Sequence, residues 1–76
     1  MSKQEQLMEY IIQDVVEYTA TDLGIEYDLA MNLFYNSAVL GKLLDPETGL
    51  YLESSAYVYD LFRDELQYGR IVQFEE

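Results

Sequence analysis

The longest regular pattern in the chain is a helical one that begins near Ser2. Apolar positions recur at intervals of three and four residues, while glutamate and glutamine follow the opposite side. The positions on the apolar side are Leu7, Met8, Ile11, Ile12, Val15, Thr19 and Leu23. Ser2 and Glu5 have the spacing of a capping box, and Gly24 suits the left-handed conformation that ends many helices. The pattern therefore predicts a helix over residues 3–23.

A second helical pattern starts at Glu26 or Tyr27 and runs to Tyr35. It is apolar nearly all round, and Met31 and Tyr35 point away from its inner face. That inner face holds Leu29, Ala30, Leu33 and Phe34. The entry at Glu26 is poorly capped, because serine, threonine or aspartate is preferred at that position.

The middle of the chain is divided by turn-forming residues. Asn36 or Ser37 ends the second helix and caps a short successor, which stops where Pro46 follows an aspartate. That short helix carries Val39, Leu40, Leu43 and Leu44. Residues 45–49, with the sequence Asp-Pro-Glu-Thr-Gly, predict a tight turn. Residues 50–52 are expected to be extended.

The last helical pattern has Ser54 or Ser55 as its cap, runs to Tyr68 and is closed by Gly69. Its inner face holds Val58, Leu61, Phe62 and Leu66. The tail at residues 70–76 has residue types common in strands, but there is no second strand for it to pair with. We expect the tail to lie across the helices or to fray.

These patterns together predict one all-α domain over residues 1–76, a small bundle of three main helices plus one short connecting helix. The predicted core consists of Leu7, Ile11, Val15, Leu29, Leu33, Phe34, Leu43, Leu44, Val58, Leu61, Phe62 and Leu66. A domain of this size buries only about 60% of its unfolded surface and has no disulfide to support it. We therefore expect self-association as a homodimer or burial against another protein.

Charge and composition exclude several functions. Fifteen acidic residues against four basic ones give a net charge of -11, which repels nucleic acids and anionic membranes. With no histidine and no cysteine, the usual general bases, thiol nucleophiles and transition-metal ligands are missing. The acids near residues 45–53 do not fit a calcium loop. We expect a cytoplasmic protein that is not an enzyme and has no catalytic residue, cofactor or metal site.

Eight tyrosines are the most unusual feature of the composition, since tyrosine is favoured at protein interfaces. We assign half of them to the core, including Tyr18 on the buried side of the first helix. The remainder, with two further residues, supply the interface candidates Tyr10, Met31, Tyr35, Tyr57, Tyr68 and Glu65. Glu65 projects into an apolar arc, so either Arg70 or Lys42 reaches it, or it meets a basic partner, or it stays a surface carboxylate.

Three short motifs lie within residues 25–66. They are Phe34-Tyr35-Asn36-Ser37, then Leu43-Leu44-Asp45 with Thr48-Gly49-Leu50-Tyr51, and finally Ser54 with Tyr57-Val58-Tyr59 and Leu61. In these motifs the chain resembles a family of short acidic bacterial proteins of unknown function. Such proteins are encoded beside genes for toxin-like domains of the ADP-ribosyltransferase type. The resemblance implies an antitoxin or immunity role, and none of the matching positions has a known catalytic duty.

The leading functional hypothesis is therefore a non-enzymatic interaction protein whose tyrosine-rich surface and negative charge suit a basic protein partner, such as a toxin. The alternative is an acidic mimic that occupies a nucleic-acid-binding protein by presenting carboxylates in place of phosphates. That alternative needs a dense acidic stripe, whereas the acids here are dispersed along the chain. An enzyme would need a pocket that holds a carboxylate or tyrosine with a strongly shifted pKa.

Overall fold

The computed structural model describes residues 2–69, and these residues form an all-α structure without strands. The helices are α1 (Lys3–Leu23), α2 (Tyr27–Tyr35), α3 (Ala38–Leu44) and α4 (Ser55–Tyr68), with short 3₁₀ helices at Pro46–Thr48 and Leu50–Leu52. The predicted fold class is confirmed. The finer prediction, a bundle of three main helices with one connecting helix, stays a prediction, and the predicted tail lies outside the described residues.

The ends of the helices follow the predicted caps. The Ser2 hydroxyl accepts a hydrogen bond from the Glu5 N–H at 3.1 Å, and the Ser2 N–H donates to the Glu5 carboxylate at 3.0 Å. This capping box satisfies two backbone donors that a helix N-terminus otherwise leaves unpaired. Gly24 ends α1 with a φ of 64°, and Ser54 caps α4 by accepting from the Tyr57 N–H. Helix α2 begins after Glu26 without a side-chain cap, as predicted.

The segment between α3 and α4 differs from the prediction. Leu50–Leu52 is a 3₁₀ helix, so the expectation that it is extended is wrong. The Thr48 hydroxyl explains the difference, because it donates to the Lys42 carbonyl at 2.6 Å and accepts from the Leu50 N–H at 3.2 Å. These bonds hold the turn close to the end of α3, and Leu50 is buried in the core. Three residues carry too little pattern to distinguish the two conformations.

The first and last helices run side by side in the same direction. The Ser55 hydroxyl donates to Asp14 at 2.6 Å, and one turn further along both helices the rings of Tyr18 and Tyr59 meet edge to face at 5.5 Å. At the centre of the core, the Phe34 ring of α2 meets the Phe62 ring of α4 at 5.0 Å, also edge to face. Such aromatic pairs contribute about 0.5–1.5 kcal/mol beyond their buried area.

Some of the predicted core residues are buried in the structure, and others are not. Predicted core residues that are buried are Ile11, Val15, Phe34, Leu43, Val58, Leu61 and Phe62, and Leu33 is partly buried against them. The predictions for Leu7, Leu29, Leu44 and Leu66 are wrong, since all four are exposed. Buried residues absent from the predicted set are Met8, Val16, Thr19, Ala30, Val39, Leu50 and Tyr59. The extents of 32 × 32 × 18 Å give a flat shape, and within residues 2–69 the flanks of several helices are left uncovered.

Candidate interaction grooves

The larger candidate site is a groove between α2 and α4, with a volume of about 350 Å³. Leu33 and Phe62 form its apolar floor, and Leu66 forms one lip with 43% of its surface exposed. Asn32 and Asn36 line the α2 side. An open apolar floor with a few polar groups at the edge is the usual composition of a binding site. We call this site the α2–α4 groove.

Glu65 fixes one end of the α2–α4 groove. Its carboxylate accepts hydrogen bonds from the backbone N–H groups of Ala38 at 2.8 Å and Val39 at 3.1 Å. These N–H groups open α3, where a negative charge also interacts favourably with the helix dipole. The structure thus gives Glu65 partners in α3 that the sequence did not suggest. That Lys42 or Arg70 also reaches Glu65 stays a prediction, and residue 70 lies outside the described residues. A carboxylate on α4 thus holds α3 in place and shapes the groove.

The second candidate site is a groove of about 270 Å³ between α1 and α3, which we call the α1–α3 groove. Met8 and Ile12 lie one helical turn apart on α1, and Leu44 is the last residue of α3. Leu44 is 50% exposed. The carboxylates of Glu5 and Glu9 line the same groove. The groove therefore combines an apolar floor with two negative charges.

The structure does not gather the predicted interface residues into one place. Tyr10, Tyr35, Tyr57 and Tyr68 are exposed, but none of them lines either groove. Of the predicted candidates, Glu65 alone among the described residues lines one. Met31 is partly buried against the core, and its place among the interface candidates stays a prediction.

The leucines at the groove edges do not stand out in the sequence, because the helical pattern places Leu44 and Leu66 in the core. Their position at the flank of an apolar arc was the available signal, and it does not reveal whether a neighbouring helix covers them. The same ambiguity affected the tyrosines. Only Tyr59 is buried and Tyr51 half-buried, whereas the other six, including Tyr18, are exposed. The prediction that half of the tyrosines belong to the core is therefore wrong.

Tyr59 has the one clearly shifted pKa within residues 2–69. Burial, a hydrogen bond to Asp22 and the charge of Asp22 together raise the pKa of Tyr59 to about 12. The Tyr59 hydroxyl donates to the Asp22 carboxylate at 2.6 Å, and the Arg63 guanidinium lies 5.8 Å from the Tyr59 ring centre. A raised pKa keeps the phenol protonated, which suits a hydrogen-bond donor between α4 and α1.

Several carboxylates are occupied by bonds within the chain. Glu5 and Asp45 accept from backbone N–H groups in their own turns, Asp14 and Asp22 accept from hydroxyls of α4, and Glu65 accepts from α3. Within the described range, no three acidic, histidine or cysteine side chains come together as a metal site. These carboxylates stabilise the fold and set its surfaces.

Comparisons of the chain with models of protein families, with curated proteins and with solved structures found no significant match. Among residues 2–69, no helix combines the length and the apolar character that a membrane crossing requires. The two grooves and the charge of the chain are therefore the observations from which its function is inferred.

Proposed function

We propose that this chain is a non-enzymatic protein-interaction module that docks a basic protein partner in the α2–α4 groove. The observation that carries the proposal is the placement of Leu66. It extends the apolar floor formed by Leu33 and Phe62 into solvent, although the pattern of α4 assigns it to a buried face. An apolar side chain of a partner would bury this floor and gain about 25 cal/mol for each Å² removed from water.

The groove is formed before any partner arrives. Glu65 ties α4 to the start of α3, and the Phe34–Phe62 contact joins α2 to α4 at the floor. A preformed site loses less conformational entropy on binding than a site that must be ordered first. This rigidity supports a docking role for the groove.

The net charge of -11 determines which partner is favoured. A second copy carries the same charge, so the predicted homodimer would bring two negative surfaces together. A basic protein is attracted at long range, associates faster and is selected over neutral or acidic competitors. We therefore propose a different, positively charged protein as the main partner, with self-association as the weaker interaction.

The resemblance to short acidic bacterial proteins encoded beside toxin genes indicates what kind of protein this partner is. We propose that it is a toxin of the ADP-ribosyltransferase type and that this chain acts on it in the cytoplasm as an antitoxin or immunity protein. In this proposal α1, α2 and α4 are the three main helices of a small bundle, and α3 is its short connecting helix. Binding that blocks the toxin needs no catalytic residue from this chain.

The test is capture of the tagged full chain from its own cells, identification of the bound protein by mass spectrometry, and reconstitution from purified components. We expect a basic protein that binds the native chain. Leu66→Ser removes the lip of the α2–α4 groove and should weaken binding at least about tenfold. Leu52→Ser is the matched control, because Leu52 is an exposed leucine outside both grooves. Equal effects of the two substitutions, or recovery of the chain alone, would refute the proposal.

A further inference from the structure

We propose that the α1–α3 groove is a second binding site, separate from the α2–α4 groove, and that it takes a cationic amphipathic helix. The two grooves share no lining residue. Leu44 at the end of α3 belongs to one groove, and Ser37 at the start of α3 belongs to the other. A single partner helix in one groove therefore leaves the other groove open.

The apolar part of the α1–α3 groove fits one row of side chains. Met8 and Ile12 follow each other by one turn on α1, and Leu44 faces the same depression from α3. A row of apolar residues at intervals of three and four is what an amphipathic helix offers to a groove. Met8 is unbranched and polarisable, so it adapts to apolar side chains of different shapes. The half-exposed Leu44 is the residue that a docked helix would cover.

The charged part of the groove determines that the bound polypeptide should be positively charged. Glu5 and Glu9 are one helical turn apart, so their charges repel each other slightly in the free protein. The Glu5 carboxylate accepts a hydrogen bond from the Ser2 N–H in the capping box. The Glu9 carboxylate has no hydrogen bond or ion pair with another described residue. Lysine or arginine side chains one turn apart on a docked helix would match both carboxylates. This match favours a cationic helix over a neutral one.

Other occupants fit these observations less well. A metal ion would find two carboxylates and no third ligand, and the described residues hold no group of three such side chains. A nucleic acid or a second copy of the chain would bring further negative charge to Glu5 and Glu9. The apolar floor and the two acids together point to an amphipathic polypeptide with positive charge.

The experiment titrates the ¹⁵N-labelled full chain with a synthetic helical peptide of leucine and lysine, in which the leucines form one stripe and lysines flank it at four-residue spacing. We expect chemical shift changes centred on the amides of Glu5, Met8, Glu9, Ile12 and Leu44. Glu9→Gln should weaken binding by about three- to fivefold, the effect expected for one exposed ion pair. Glu17→Gln is the matched control, since Glu17 is an exposed acid on the same helix outside both grooves.

Leu44→Ala tests the apolar contact and should weaken peptide binding by about five- to tenfold, whereas Leu52→Ala should leave it unchanged. A peptide with glutamine in place of lysine should bind at least about fivefold more weakly. Shift changes confined to Leu33, Asn36 and Leu66 would overturn this inference while supporting the α2–α4 proposal. Equal effects of Glu9→Gln and Glu17→Gln, or an absence of shift changes, would also overturn it.

Discussion

The Tyr59 hydroxyl donates a hydrogen bond to the Asp22 carboxylate across 2.6 Å, and this bond joins the last helix to the end of the first. The two residues are 37 positions apart in the chain. The Tyr59 ring also meets the Tyr18 ring edge to face, so one tyrosine of α4 contacts α1 through both its ring and its hydroxyl. This contact aligns α4, which carries one wall of the α2–α4 groove.

Replacement of Tyr59 by phenylalanine should lower stability by about 1–3 kcal/mol, because the ring stays while the hydrogen bond to a charged acceptor is lost. Urea unfolding at neutral pH measures the change. Tyr57→Phe is the matched control, since Tyr57 is an exposed tyrosine on the same helix. A Tyr59→Phe protein as stable as the control would contradict the importance of the bond.

Alkaline pH should remove the same stabilisation. The pKa of Tyr59 rises from its ordinary value of 10.0 to about 12 in the folded protein, through burial, the hydrogen bond to Asp22 and the charge of Asp22. The folded state therefore holds this proton more tightly than the unfolded state. The stabilisation is complete below pH 10 and is lost as the pH rises through 12. Tyr59→Phe should show a shallower fall over that interval than Tyr57→Phe, whereas identical curves would contradict the assignment.

Removal of the Glu65 carboxylate should loosen α3. Glu65→Ala leaves the N–H groups of Ala38 and Val39 without their acceptor, and we expect a loss of about 1–2 kcal/mol. Glu65→Gln keeps one acceptor oxygen without the charge, so its stability should fall between those of Glu65→Ala and the native protein. Urea unfolding gives the order, and the amide shifts of Ala38 and Val39 localise the effect. If Glu65→Ala matches the control Glu17→Ala in both measurements, the proposed cap is wrong.

Replacement of glycine by alanine should have opposite effects on stability at two positions. Gly41 lies within α3, and an added Cβ there meets no atom within 4 Å, so Gly41→Ala should stabilise by about 0.5–1 kcal/mol. Gly49 has a φ of 69° between the two 3₁₀ helices, and an added Cβ there also meets nothing within 4 Å. Gly49→Ala should therefore cost about 1–2 kcal/mol through the backbone alone. Urea unfolding midpoints of the same sign for both variants would contradict this account.

Helix ends and fold class were predictable because they depend on residues close together in sequence. The Ser2–Glu5 capping box spans three positions, and Gly24 acts within the turn that it ends. The Glu65 contact with α3 and the Asp22–Tyr59 bond join residues 26 to 37 positions apart. Helical periodicity holds no information about which elements meet, so these contacts could not be predicted.

The grooves were missed for a related reason. Periodicity gives the direction of the apolar face of a helix, but the number of neighbouring helices decides how wide a buried face is. Leu44 and Leu66 lie at the flank of such faces, and no further helix among residues 2–69 covers them. Tyr59 shows the converse, because its long aromatic side chain reaches α1 from a position that the pattern left outside the core.

Salt should stabilise the isolated chain. Fifteen acidic residues against four basic ones repel one another in the compact state, and ions screen this repulsion. The melting temperature should therefore rise between about 0.05 M and 0.5 M sodium chloride, over which the screening length falls several-fold. Calorimetry measures the melting temperature at each salt concentration. A melting temperature that falls with salt would show that attractive charge pairs outweigh the repulsion.

Whether a basic partner docks in the α2–α4 groove is decided by the dissociation constant of the complex between the full chain and its identified partner, measured by calorimetry at low and at high salt. We expect binding to weaken about tenfold or more with added salt, because opposite charges attract the partner. We expect a further loss of about tenfold, or about 1.4 kcal/mol, for Leu66→Ser and no loss for Leu52→Ser. A dissociation constant that changes neither with salt nor with Leu66→Ser would contradict docking in this groove.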